Sequence, residues 1–235
     1  MEGHRAVTLT ILIPTHNEEG RIGGTLKQLN SFLRKSKTKA DVLVVDDGND
    51  GTAKIARALG ARVLHFPKRL GKGGGVHAGL KHAKGDVVIY DADASTPPEE
   101  IPRLLLALKN ADIAIGSRYS PASQASMPAI RKFTGRSFGL LVRLLFGLPF
   151  TDTQCGFKAV REKAVKRMLP QLKENGFVWD VEFLAVALRN GLRVEEVPVR
   201  WRHVRGGPTE SGGAFALLGT ALRMFSDAVA LRLRL

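Results

Sequence analysis

Asp86-Val87-Val88-Ile89-Tyr90-Asp91-Ala92-Asp93-Ala94-Ser95-Thr96 decides the fold of this chain. Val87 to Tyr90 is a short apolar run rich in β-branched side chains, which reads as a buried strand. Two carboxylates one residue apart end it, and the Pro97-Pro98 pair then prevents further extended pairing. Ligands of open α/β sheets lie outside the carboxyl ends of the strands. Asp91 and Asp93 are therefore expected at the rim where a bound group sits. Neighbouring carboxylates repel, and a shared divalent cation removes that repulsion. Hard oxygen donors suit Mg²⁺ or Mn²⁺, ions that usually carry phosphates on their open positions. An acidic turn after a strand is the plainer reading of the same residues.

Outward from this stretch, strands and helices alternate. Strands are expected at residues 7–14, 42–45, 62–66 and 113–116, with helices at 21–35, 52–59, 74–82 and 98–108. Ile22, Leu26, Leu29 and Leu33 fall on one helical face. This alternation predicts a parallel, doubly wound sheet. After Ser117 the pattern changes. Residues 120–128 form a Pro/Ala/Ser loop, expected to be mobile because nothing apolar anchors it. Residues 138–150 are an apolar run broken by Arg143, too short to span a bilayer. It suits an interfacial helix or a core helix. A strand at 156–161, helices at 162–172 and 178–189, and one late strand at 194–201 follow. Residues 206–213 read as a flexible loop. Residues 215–235 read as an amphipathic helix carrying Leu217, Leu218, Leu222, Phe225, Val229 and Leu233.

The 235 residues carry a net charge of +14, with pI near 10.3, which implies an anionic partner. The excess is uneven: residues 118–173 hold 11 Lys and Arg against two acids, Asp152 and Glu162. Two Tyr and two Trp are too few for a base-stacking platform, so nucleic acid is not expected. The single cysteine, Cys155, excludes an internal disulfide and a cysteine zinc cluster. No signal peptide or apolar run of bilayer length is visible.

Other motifs crowd the same rim. Asp46-Asp47-Gly48 also closes a strand, where a carboxylate can accept from a base N–H or ribose hydroxyls; an Asx turn is the alternative. Leu70-Gly71-Lys72-Gly73-Gly74-Gly75 is no Walker loop, because no Gly-Lys-Ser/Thr closes it. Residues 73–78 fit the loose dinucleotide pattern, but that pattern must follow its strand directly, and residues 67–72 intervene. The glycines read instead as room for a backbone to approach a ligand, with Lys72 near a phosphate. Gly116-Ser117-Arg118 adds a cation, and Arg131, Lys132 and Arg136 follow. The histidines show no metal-ligand spacing, and no Gly-x-Ser-x-Gly supports a hydrolase.

Together, Ile13-Pro14-Thr15-His16-Asn17-Glu18, Val45-Asp46-Asp47-Gly48, Gly71-Lys72-Gly73, Asp91-Ala92-Asp93 and Gly116-Ser117-Arg118 resemble the family 2 nucleotide-sugar glycosyltransferases of GT-A fold. Residues 152–158 (DTQCGFK), Trp179-Asp180-Val181-Glu182 and Val197-Pro198-Val199-Arg200-Trp201 resemble the dolichyl-phosphate glucosyltransferases, whose mannose-synthase relatives share most other motifs. The resemblance spans nearly the whole chain. It implies an α/β GT-A fold, a Rossmann-like mostly parallel sheet flanked by helices, with an amphipathic C-terminal helix. By position, Asp91 and Asp93 match the metal and diphosphate motif. Pro14, Glu18 and Asp47 match nucleoside contacts. Arg118 and Arg131 match positions facing phosphates, and Asp152 and Asp180 match acids near the acceptor. Ser95 departs from the Gln usual in mannose synthases, and Pro208-Thr209 from the Ser-Lys of many members.

The function so implied is an inverting, Mn²⁺- or Mg²⁺-dependent transfer of glucose or mannose. UDP-glucose or GDP-mannose is the donor, and a dolichyl or other polyprenyl phosphate the acceptor. Asp93, Asp152, Asp180 and Arg118 are the expected catalytic residues. Pro14, Glu18, Asp47, Lys72 and Asp91 are expected on the nucleotide. Arg131, Lys132, Arg136, Arg200 and Arg202 are expected on the acceptor phosphate. A phosphate monoester, with a second pKa of about 6, is already ionised and needs little help from a base. A hydroxyl acceptor would need one, and Asp152 or Asp180 would then be called on. One domain divides into residues 1–117 on the nucleotide-sugar side, 118–213 on the acceptor side and a membrane-associating helix at 214–235. This places the protein peripherally on an anionic, cytoplasmic membrane face. The rivals are transfer to a glycan or soluble hydroxyl and a non-enzymatic nucleotide or RNA binder.

Overall fold

The computed structural model describes residues 9–204 and 213–234. Four βα steps and a fifth strand open the chain: β1 (Leu9–Thr15), α1 (Glu19–Lys35), β2 (Asp41–Asp46), α2 (Thr52–Ala58), β3 (Arg62–His65), α3 (Gly71–His82), β4 (Asp86–Ile89), α4 (Ile101–Ala107) and β5 (Ile113–Ser117). Then come β6 (Gln124–Ser126), α5 (Ala129–Phe146), β7 (Lys158–Val160), α6 (Glu162–Met168), α7 (Trp179–Arg189), β8 (Val194–Pro198), β9 (Arg200–Arg202) and α8 (Gly213–Arg234). Seven strands form the main sheet in the order β3-β2-β1-β4-β7-β5-β8. All its pairings are parallel except those of β7, which runs antiparallel between β4 and β5. The mostly parallel sheet flanked by helices is the architecture read from the sequence.

Both faces of the sheet are covered, so its strands read as continuous apolar runs. Alternation divides them: Ile11 and Ile13 join one core with Val44, Val88 and Tyr90, while Leu12 joins the other with Leu43, Val87 and Ile89. On α1, Ile22, Leu26 and Leu29 are fully buried, the expected face. Each such side chain contributes about 1.5–3 kcal/mol.

Three segments differ from the sequence reading. Residues 120–128 are not simply a loop: they contain β6, which pairs in parallel with β9 as a second, two-stranded sheet. The late strand expected at 194–201 is two strands, broken after Pro198, and each half pairs in a different sheet. Helix α3 begins at Gly71 rather than Gly74, because its glycine turn packs against residues 174–175 and Trp179.

No helix among the described residues is long and apolar enough to cross a membrane. The two helices proposed for membrane contact pack on each other. On α8, Ala228 and Leu231 enter the core and Arg234 bonds Glu182, while Leu233 is 85% exposed. On α5 only Val142 is buried, and Ile130, Phe133, Leu140 and Leu144 face outward. Residues 7–8 of the first strand, the 206–212 loop with Pro208-Thr209, and the side chains of Phe215, Leu217, Leu218 and Leu222 lie outside the described residues.

Candidate active site

A cavity of about 620 Å³ opens at the carboxyl ends of the strands. Of the residues singled out in the sequence, Pro14, Glu18, Asp47, Lys72, Asp91 and Asp93 line it from the first half of the chain. Arg118, Arg131 and Asp180 line it from the second.

The turn after β4 sets the two acids. Ala94 takes a left-handed backbone, φ +51°, a costly conformation for alanine that makes the turn tight. Asp93 Oδ1 accepts from Ser95 N at 2.9 Å and Ser95 Oγ at 2.6 Å. Asp91 Oδ1 accepts from Lys72 Nζ at 3.0 Å. Burial disfavours the Asp91 charge, but Lys72, Lys158 and Arg118 outweigh it and hold the carboxyl below its ordinary range. Burial opposes the charge of Lys72, but Asp91, Asp180 and Asp93 outweigh it and raise the ammonium above its ordinary range.

These residues suit a divalent cation. Both carboxylates keep an oxygen that no protein hydrogen bond occupies among the described residues. Gly156 completes the cradle: a Cβ there would fall 2.4 Å from Asp91 Oδ2, so a side chain would fill the space the carboxylate occupies. No cluster of three or more His, Cys, Asp or Glu able to hold a metal is found among the described residues. Two carboxylates leave several positions for water and phosphate oxygens, the arrangement Mg²⁺ and related ions favour at phosphate sites.

Asp47 braces the cavity wall at the end of β2. Its Oδ2 accepts the backbone N–H of Leu70 and Gly71 at 2.7 and 2.9 Å, and its Oδ1 meets His16 Nδ1 at 2.8 Å. Both oxygens near Nδ1 are acceptors, so that nitrogen carries the proton. Glu18 is bound bidentately by Arg21 at 2.6 Å. Burial nevertheless raises its carboxyl, and Asp91 and Asp93 add to the rise. Of the glycine run, Gly71 and Gly75 line the cavity beside Lys72, while the other two glycines face away from it. Gly73 N and Gly74 N both donate to Asn175 O.

On the other side, Asp152 is 2% exposed and lies behind the cavity wall. It accepts from Arg118 N, Nε and Nη2 at 2.9, 2.7 and 2.8 Å, so it fixes Arg118 instead of facing an acceptor. Asp180 reaches the cavity but is bound to the fully buried Lys158 at 2.5 Å. Burial pushes Asp180 up, while Lys158 and Lys72 pull it back.

The expected acceptor cations separate. Arg131 lines the cavity, while Lys132 and Arg136 on α5 do not. Arg200 and Arg202 line a neighbouring groove with Lys27 and Lys35, and Arg200 is bound to Glu100 at 2.5 Å. Strand alternation explains this: on β9 the two arginines are exposed and Trp201 between them is buried.

Several cavity residues were not singled out. Gln154 has a buried Nε2 without a protein partner among the described residues. Tyr119 and Arg21 line the charged part, and Ile130, Phe138, Phe177 and Met224 the apolar mouth. Gln154 sits inside the quoted 152–158 stretch. The apolar set comes from three separate segments, with Ile130 and Phe138 on α5 and Phe177 and Met224 far from it in sequence, so no single local pattern signals it.

Residues 10–169 match the model of glycosyl transferase family 2. The undecaprenyl-phosphate mannosyltransferase of Micrococcus luteus is 34% identical, covering 86% of each chain. The dolichyl-phosphate beta-glucosyltransferase of Saccharomyces cerevisiae is 29% identical over 97% of this chain and 75% of its own. Among such relatives the chain spans from 33% to 86% of the full length. Glucosyl-3-phosphoglycerate synthase from Mycobacterium tuberculosis, solved with Mn²⁺, UDP and glucosyl-3-phosphoglycerate, shares the fold: its TM-score is 0.74 at 20% identity, covering 97% of this chain and 80% of that one. With the family model covering more than half of its length, this chain belongs to glycosyl transferase family 2.

Proposed function

We propose that this enzyme transfers glucose from UDP-glucose to a polyprenyl phosphate of the dolichyl type, inverting the anomeric carbon. One observation carries the reading: a single cavity runs from paired carboxylates and cations, Asp91, Asp93, Lys72 and Arg118, to an apolar mouth of Ile130, Phe138, Phe177 and Met224. A nucleotide diphosphate suits the first end and a lipid-linked phosphate the second. Glucose is favoured by the yeast relative, and GDP-mannose is the second donor to test because of the Micrococcus relative.

Asp91 and Asp93 would hold Mn²⁺ or Mg²⁺, which when bound offsets charge on the departing diphosphate. Asp47, Glu18 and Pro14 bind the nucleoside. Lys72 lies where it can both neutralise Asp91 and reach a phosphate oxygen. Gln154 Nε2 supplies a donor to the sugar or diphosphate. Arg118 and Arg131 receive the acceptor phosphate, and Arg136 and Lys132 raise the positive potential outside. The acceptor is a dianion and attacks without a general base. Asp152 positions Arg118 and touches no reacting atom.

The outward apolar residues of α5, with Lys132, Arg136 and Arg143 on the same helix, support peripheral docking on an anionic membrane face, the cytoplasmic one in our reading. The raised Asp180 carboxyl favours a second reading, transfer to a hydroxyl with Asp180 as base.

The deciding experiment supplies UDP-glucose or GDP-mannose, Mn²⁺ or Mg²⁺, and farnesyl phosphate or a soluble glycoside. The expected outcome is a sugar-phospholipid product only with the prenyl phosphate. Turnover on the glycoside in the absence of lipid overturns the reading.

A further inference from the structure

One of the two carboxylates suited to a metal is already engaged by a cation of the chain itself. Lys72 Nζ lies 3.0 Å from Asp91 Oδ1. Gly156 covers another side of the same carboxylate, since a Cβ there would meet Oδ2 at 2.4 Å and Oδ1 at 2.5 Å. Asp93 differs. Its Oδ1 accepts from Ser95, and it has no hydrogen-bonded cation among the described residues. Among the other acids of the cavity, Asp180 is paired with Lys158 and Glu18 with Arg21. A divalent ion approaching Asp91 and Asp93 therefore meets one carboxylate matched by an ammonium and one unmatched. Mg²⁺ dehydrates reluctantly and is usually held by one or two carboxylates together with substrate phosphates.

The backbone around Lys72 is fixed, whereas its side chain has a single tie. Lys72 is the second residue of α3. Gly71 N donates to Asp47 Oδ2 at 2.9 Å, and Gly73 N and Gly74 N donate to Asn175 O at 3.0 and 3.4 Å. With those amides occupied, the start of α3 meets a diphosphate through the Lys72 ammonium, carried on a flexible four-carbon stem. That ammonium makes one hydrogen bond among the described residues, to Asp91. Burial opposes its charge, but Asp91, Asp180 and Asp93 sustain it, so Lys72 stays a cation whichever partner it has.

We propose that Lys72 competes with the divalent cation for Asp91 and yields only when a diphosphate receives its ammonium, so that metal and nucleotide load as one unit. This rests on the nucleotide-sugar reading above and adds the order of loading. No covalent bond changes: the ammonium exchanges a carboxylate oxygen for a phosphate oxygen. By linkage, the factor by which UDP tightens the metal is the factor by which the metal tightens UDP. A lysine that only bound phosphate would leave the affinity for metal alone unaltered. A competitor, once its charge is removed, leaves a better site for the metal alone and a poorer one for the nucleotide.

The test titrates the whole protein with Mn²⁺, read by electron paramagnetic resonance, with and without saturating UDP. Lys72→Met is expected to bind Mn²⁺ alone at least about fivefold more tightly than the wild type, and UDP in the presence of Mn²⁺ at least about fivefold more weakly. Lys72→Arg keeps the charge and is expected to show no gain in Mn²⁺ affinity. Adding Asp93→Ala to Lys72→Met is expected to erase the gain, which locates it at this site. Lys72→Gln gives the same comparison if Lys72→Met does not fold. Either change smaller than expected, an equal gain in Lys72→Arg, or a gain that survives Asp93→Ala overturns the proposal while leaving the nucleotide-sugar reading standing. A wild type that binds no Mn²⁺ even with UDP overturns this proposal and the metal-dependent reading together.

Discussion

Two pairs of aspartates in this molecule share a chemistry and differ in circumstance. Asp91 and Asp93 stand at the cavity with one oxygen each uncommitted. Asp152 and Asp180 are almost wholly buried and held by Arg118 and Lys158. The first pair can take a ligand. Asp152 is spent on orienting Arg118, a geometry whose disruption costs more than its formation contributes, while Asp180 is bound to Lys158 through one oxygen and still lines the cavity. Position in a motif assigned all four to the site, and only their partners distinguish the roles.

Breaking the first pair has the largest expected effect. Asp93→Ala should lower turnover by at least about 10³-fold, with loss of the Mn²⁺ signal bound to the protein in electron paramagnetic resonance. Turnover within tenfold of wild type would remove the distinction between the pairs. Gly156→Ala probes the same pair more gently. Its methyl would displace the Asp91 carboxylate, so Mn²⁺ affinity should fall about 10–100-fold in a titration, with urea stability little changed.

The second pair should answer in stability. Asp152→Asn leaves the largely buried Arg118 without its counter-charge and should cost about 3 kcal/mol in urea unfolding. A loss under 1 kcal/mol would mean that Asp152 is free to act elsewhere.

His77 sharpens the contrast from the basic side, since its buried Nε2 has no protein partner among the described residues. Burial lowers it from 6.5 to about 4, and Lys81 adds to that. The unfolded chain takes up a proton between these values that the folded chain refuses. Stability should therefore fall as pH drops from 6.5 toward 4, by up to about 3 kcal/mol. His77→Gln should flatten that part of the stability-against-pH curve, and an unchanged slope would place the titration elsewhere.

The sheet and its acidic rim were legible because their signals are local. A β-branched run ending in Asp-x-Asp places both acids without knowledge of the rest. The β6–β9 sheet was not legible, because three-residue strands carry too little alternation and the pairing spans some 75 residues. Arg200 and Arg202 were misplaced for the same reason. Once residues 200–202 are known to be extended, period-two geometry sends them away from Trp201. Asp152 read as an acceptor acid because its motif lies beside the site, and only three-dimensional contact reveals that Arg118 saturates it.

Strand β7 has a consequence for how the chain is made. It sits in the middle of the sheet, yet its residues, Lys158–Val160, come about 40 residues after those of β5. Until they emerge from the ribosome, β4 and β5 each expose an unpaired edge, and the nascent protein cannot close its sheet. Such open edges invite pairing with other chains. Synthesis stalled before residue 158 thus leaves a species prone to aggregate and in need of chaperone cover, however complete its first five strands are.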